Sequence, residues 1–218
     1  MFCFLFFLSI CAQKEKDSLF FNLKFGDYAL QLNKTYISKN NDSLQLTTFK
    51  FYISGLQIDY TDNTVFKEKN SYHLIDFENL NSLKIPIENK NKNAISKIKF
   101  QIGIDSTASV SGALSGDLDP ANGMYWAWQS GYINMKIEGK SASCTTRKNQ
   151  FQFHIGGYIQ PNYAIRNVTL DSKDNHTIAV DVSELFSKVN LKEINSMMVP
   201  SKKAMELADY SINMFKIE

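Results

Sequence analysis

The chain has 218 residues, enough for one large domain or two small ones, and its 16 Phe and 10 Tyr supply ring surface for a real core. Its 24 basic and 22 acidic residues leave a net charge of +2 with no long basic run, which excludes the electrostatic footprint of a nucleic-acid binder. The same mixed charge suits the surface of a folded domain.

The first thirteen residues, MFCFLFFLSICAQ, are apolar, uncharged and too short to span a bilayer as a helix. A short apolar stretch ending in small residues is the pattern of a secretory signal. We read residues 1–12 as that signal, cut after Ala12, and residues 13–218 as one domain in the periplasm or secreted. The alternative is a lipid anchor through Cys11, with Leu8-Ser9-Ile10 before it. Cys3 and Cys11 both fall in the signal. Cys144 is then alone in the mature chain, and no intrachain disulfide can form.

Strand-like alternation follows through most of the chain. Phe21, Leu23 and Phe25 form one set, and Tyr28, Leu30 and Leu32 the next. Phe49, Phe51 and Ile53 give way to Leu56, Ile58 and Tyr60, with a phase slip at Ser54-Gly55 that predicts a β-bulge. Ile98, Phe100, Ile102 and Ile104 alternate, as do Ile133, Met135 and Ile137. Phe151, Phe153 and Ile155 come later, then Ile178, Val180 and Val182. Polar turns at residues 38–43, 89–93 and 171–175 separate these runs. Many short strands between turns predict an all-β fold, an antiparallel sandwich. Short helices are predicted over residues 183–189 and 201–208, the second with Ser201 as N-cap after Pro200.

Common catalytic templates are missing: no G-x-S-x-G, no Walker loop, no H-E-x-x-H and no C-x-x-C. Residues 116–139, GDLDPANGMYWAWQSGYINMKIEG, hold both tryptophans, Trp126 and Trp128, flanked by Tyr125 and Tyr132. Alternation puts the two indoles on one face, where they stack a ring ligand or cap a core. Asp117 and Asp119 put two carboxylates in one turn, which suits either calcium or a plain acidic turn. His73 shares its face with Ile75 and Phe77, while His154 lies opposite Phe151, Phe153 and Ile155. His176 follows Asp174 and Asn175 in a turn. Two imidazoles with a third donor suit copper.

Two blocks carry a resemblance. GMYWAWQSGYINMKIEG and TRKNQFQFHIGGY resemble the MbnP-like family, exported β-rich proteins related to methanobactin-associated copper proteins. Within them W-x-W-x-x-G-Y is followed about 25 residues later by F-x-F-H-x-G. FKFYISGLQI, SYHLIDFEN and KIKFQIGID are similar to its general pattern, so the likeness runs over nearly all of the mature chain. The resemblance implies a periplasmic copper-binding or copper-handling protein with no catalytic activity. It implies two histidine ligands and a kynurenine made from tryptophan by a dihaem peroxidase-like partner, with a copper carrier alongside. Carried over, the ligands are His154 and His73, and Ser71 stands two residues before His73 where a ligand tryptophan would sit. The binding surface or oxidation target is then Trp126, Trp128 or Tyr125.

Overall fold

The computed structural model describes residues 17–87, 94–128 and 131–218. The stretch predicted as a signal, with Cys3 and Cys11, and the predicted turn at residues 89–93 lie outside the described residues. In chain order the elements begin with β1 (Ser18–Phe25), β2 (Tyr28–Ala29), β3 (Thr35–Ile37), β4 (Ser43–Tyr60), β5 (Val65–Lys67), β6 (Tyr72–Asp76), β7 (Lys84–Pro86) and β8 (Ile95–Ile102). Next come α1 (Ser106–Val110), β9 (Tyr125–Trp126), β10 (Gly131–Ser141), β11 (Gln150–Gly156), β12 (Arg166–Asp171) and β13 (Thr177–Asp181). The chain ends with α2 (Val182–Phe186), β14 (Ser196–Met197), α3 (Lys202–Ser211) and β15 (Phe215–Ile217).

Two sheets stack as the alternation predicts. The larger follows the order β12-β8-β4-β10-β11-β14, with β3, β5, β6 and β9 paired along it, and curls into a half-barrel. The smaller follows β15-β13-β1-β2, with β7 on β1. Strand β4 is the spine of the larger sheet and carries Phe49, Phe51 and Ile53 inward, each almost fully buried. Phe51 meets Phe21 of the other layer edge-on at 6.2 Å and Phe215 at 5.5 Å, so one ring ties both sheets. Burying a side chain of this size stabilises the fold by about 1.5–3 kcal/mol. Gly55 interrupts the spine with a φ of 60°, and the pairing with β8 slips between Ser54 and Gln57. That is the predicted bulge, and glycine takes the left-handed conformation there without a Cβ penalty.

Three features depart from the sequence reading. β1 pairs with β13 in parallel, and β11 with β14 likewise, so the sandwich is not purely antiparallel. The Tyr28-Leu30-Leu32 run is a strand only at Tyr28–Ala29; Leu30 turns into the core while Tyr28 stays exposed. The predicted helices appear as α2 and α3, with the Ser201 hydroxyl accepting from the Ala204 amide at 3.1 Å. Helix α1 was not foreseen, and Asp105 caps it by accepting from the Ala108 amide at 2.9 Å.

Candidate functional site

The segment between β8 and β10 folds over the outer face of the larger sheet and builds a second, smaller core there. Tyr52, Leu74, Ile104, Leu118, Met124, Trp126 and Tyr132 fill it. Its polar atoms are tied down in turn. The Tyr52 hydroxyl donates to the Asp117 carbonyl at 2.8 Å, and the Tyr132 hydroxyl to the Leu118 carbonyl at 2.9 Å. Burial, then the neighbouring Tyr132 and Asp117, pushes the Tyr52 phenol well above its ordinary range. Tyr72 donates to the Asp105 carboxylate at 2.6 Å, and burial together with that bond pushes its pKa up to about 12.

The two tryptophans part company. Strand β9 ends at Trp126, so the alternation that would keep Trp128 on the same face does not continue. Trp126 is 6% exposed and Trp128 is 64% exposed, yet the rings touch, tilted at 49° with centroids 6.0 Å apart. The seat of Trp126 is Gly156. A Cβ on Gly156 would lie 2.7 Å from the indole Cζ3 and 2.8 Å from the Tyr132 carbonyl oxygen. The tryptophan of one sequence block therefore rests on a glycine of the other, which gives their co-occurrence a packing reason. Gly156 carries no chemistry, and its place in the F-x-F-H-x-G block was the only signal for it. Tyr125 is half-buried and meets Tyr132 edge-on at 5.0 Å.

Asp117 and Asp119 are both committed to backbone. The Asp117 carboxylate accepts from the Leu74 amide at 2.9 Å, and the Asp119 carboxylate from the Ala121 amide at 2.8 Å. The acidic turn thus organises the lobe. Cys144 is buried, and burial and then the charge of Asp42 raise its thiol pKa. His176 faces Asp174 at 3.7 Å, and its carbonyl accepts from the Phe20 amide.

His73 and His154 are not brought together. His73 pairs with Ile53 across β4, on the face of Ile75 and the main core. His154 pairs with Lys136, which pairs with Lys50, on the opposite face of the same sheet. Strands β6, β4, β10 and β11 lie side by side, so the two histidines are three strand spacings apart, about 14 Å, besides an offset along the strands. Imidazoles ligate one ion only from about 2 Å each. The residues present therefore do not fit a shared two-histidine copper centre. Among the described residues no group of three His, Cys, Asp or Glu side chains is placed to hold a metal ion.

Each histidine instead meets a glutamate that gave no sequence signal. His73 Nε2 lies 2.6 Å from Glu68, which also accepts from the Ser71 hydroxyl at 2.7 Å. Ser71 serves this network and also accepts from the Leu56 amide. Burial alone would raise the Glu68 pKa, but the bonds from His73 and Ser71 outweigh it and hold the carboxyl low. His154 Nε2 lies 2.7 Å from Glu138, whose pKa is lowered first by that bond.

A family model described as MbnP matches residues 14–199. The chain belongs to the MbnP family. The solved structure of MbnP from Methylosinus trichosporium superposes with a TM-score of 0.60 at 13% identity, covering 86% of this chain and 82% of that one. At that identity the likeness establishes the MbnP fold. A search of curated protein sequences returns no match. Among the described residues no helix is long and apolar enough to cross a membrane.

Proposed function

We propose that this chain is an exported, non-catalytic binding protein of the MbnP family whose contact surface is the aromatic corner at Trp128. The contrast between the indoles carries this reading: Trp126 is a buried seat, and Trp128 is held out to water against it. A large ring exposed on a fixed support offers a flat apolar plate to a sugar ring or a peptide side chain. The test is tryptophan emission of the mature protein titrated with cellotetraose and with a tryptophan-rich peptide. A saturable change that Trp128→Ala removes supports the reading. No change with either probe, or a change that survives Trp128→Ala, overturns it.

Copper handling, the function implied by the resemblance, is the second reading. Family membership favours it, as do two imidazoles each steadied by a carboxylate, the usual support of a ligand histidine. In this reading His154 and His73 act at separate places, each offering only Nδ1, because Nε2 already meets a glutamate. Trp128 is the indole that an oxidising dihaem partner could reach, and a copper carrier would deliver the ion. Protein isolated from its native host separates the readings. Stoichiometric copper, or an intact mass raised by oxygen at Trp128, selects the second. Metal-free protein of unmodified mass selects the first.

A further inference from the structure

At the far end of the smaller sheet, away from the tryptophans, a cleft of about 480 Å³ opens between the β1–β2 turn and β3. Its floor is a ring pair: Phe25 stacks on Tyr36 with centroids 4.5 Å apart and planes 22° from parallel, both rings almost fully buried. Its rim is apolar and uncovered, with Tyr28 65% and Ile37 62% exposed. Exposed apolar surface grouped around a concavity of this size is the usual form of a small-molecule site.

Charge narrows the ligand. The Lys34 ammonium sits over two rings at once, 5.3 Å from the Tyr28 centroid and 5.6 Å from that of Tyr36. Among the described residues it forms no ion pair with a carboxylate. The neighbouring Lys39 is paired with Glu184 at 3.5 Å, which leaves Lys34 as the cation available to a ligand. Ring faces hold an ammonium only weakly compared with a carboxylate, so an incoming anion gains a charge-assisted hydrogen bond at little cost. Asp27 on the same rim repels a second negative charge.

We propose that this cleft binds a small amphipathic monoanion, a flat or short-chain apolar body that lies on the Tyr28 and Ile37 rim and ends in one acidic group on Lys34. This goes beyond the Trp128 reading and stands or falls separately, because the cleft is lined by neither tryptophan and by no residue of the small core around Trp126.

The probe is 8-anilino-1-naphthalenesulfonate, two ring systems with one sulfonate, titrated into the folded mature protein. Lys34→Gln and Tyr28→Ser should each weaken binding at least about fivefold, with thermal midpoints unchanged. Lys84→Gln is the control. That lysine also lies over a ring, Phe20 at 5.5 Å, but lines no part of the cleft, and its loss should leave binding intact. Raising salt from about 50 to about 500 mM should weaken the parent and not Lys34→Gln. N-phenyl-1-naphthylamine, with the rings and no sulfonate, should bind less well. The proposal is overturned if the parent binds no dye, if Lys34→Gln and Tyr28→Ser bind as the parent does, or if the neutral dye binds equally.

Discussion

Gly156→Ala tests how the two sequence blocks lock together. The added methyl would lie 2.7 Å from Trp126 Cζ3, 2.8 Å from Cη2 and 2.8 Å from the Tyr132 carbonyl oxygen. Contacts below 3.0 Å force something to move. The indole is held inside the small core, and the carbonyl belongs to strand β10, so neither gives way as the tip of a flexible side chain would. Overpacking of this kind costs about 1–3 kcal/mol, and a backbone obstacle puts the expected value in the upper half. For a chain of this size that lowers the thermal midpoint by about 4–12 °C. The assay is thermal unfolding followed by far-ultraviolet circular dichroism and by tryptophan emission. Emission should also shift to the red in the native state, because a displaced Trp126 gains water. Trp126→Phe in the same background removes part of the collision, so the double variant should be less destabilised than the two single losses added together. An unchanged midpoint and unchanged emission in Gly156→Ala would refute the packing account.

Two further outcomes follow from the charges and the thiol. Glu138 is held below its ordinary pKa by the bond from His154, so its contribution to stability is present at neutral pH and lost as pH falls through that lowered value, on the acid side of the ordinary glutamate range. Glu138→Gln should flatten the pH dependence of the urea midpoint in that acid window, and an unaltered acid limb in the variant would contradict the pairing. Cys144 should react slowly with a disulfide reagent in the native protein at pH 7, and quickly once unfolded in guanidinium, because its pKa is raised and its sulfur is buried. Equal rates in both states would contradict its burial.

Much of the fold was legible because β alternation reports which side of a strand meets the core. The sets at Phe21, Phe49, Ile133 and Phe151 lie in strands, as do Ile98, Phe100 and Ile102, whereas Ile104 falls past the end of β8 and joins the small outer core; the slip at Ser54-Gly55 is a bulge. Pairing was not legible, since alternation does not say which strand lies beside which. The parallel neighbours β1 and β13 are far apart in the chain and carry no local mark of their meeting. The Trp126/Trp128 pair misled for a related reason: two residues of strand are too few to sustain the period, and the turn after β9 sends the second indole outward. The histidines are the instructive case. The sequence already placed His73 with Ile75 and put His154 opposite Phe153. Once both strands proved to lie in one sheet, that difference in phase separated the imidazoles to its two faces. Glu68 and Glu138, which hold those imidazoles, were invisible because each contact crosses a turn or a neighbouring strand.

His73 and His154 lie on opposite faces of one sheet, three strands apart, too far to share one metal ion. The direct measurement is titration of the purified mature protein with Cu(I) against a chelator of known affinity, for the parent, His73→Ala, His154→Ala and the double variant. The account predicts that no tight site is lost by both single replacements, with any binding changed independently by each. Loss of the same single equivalent of copper in both single variants would contradict it.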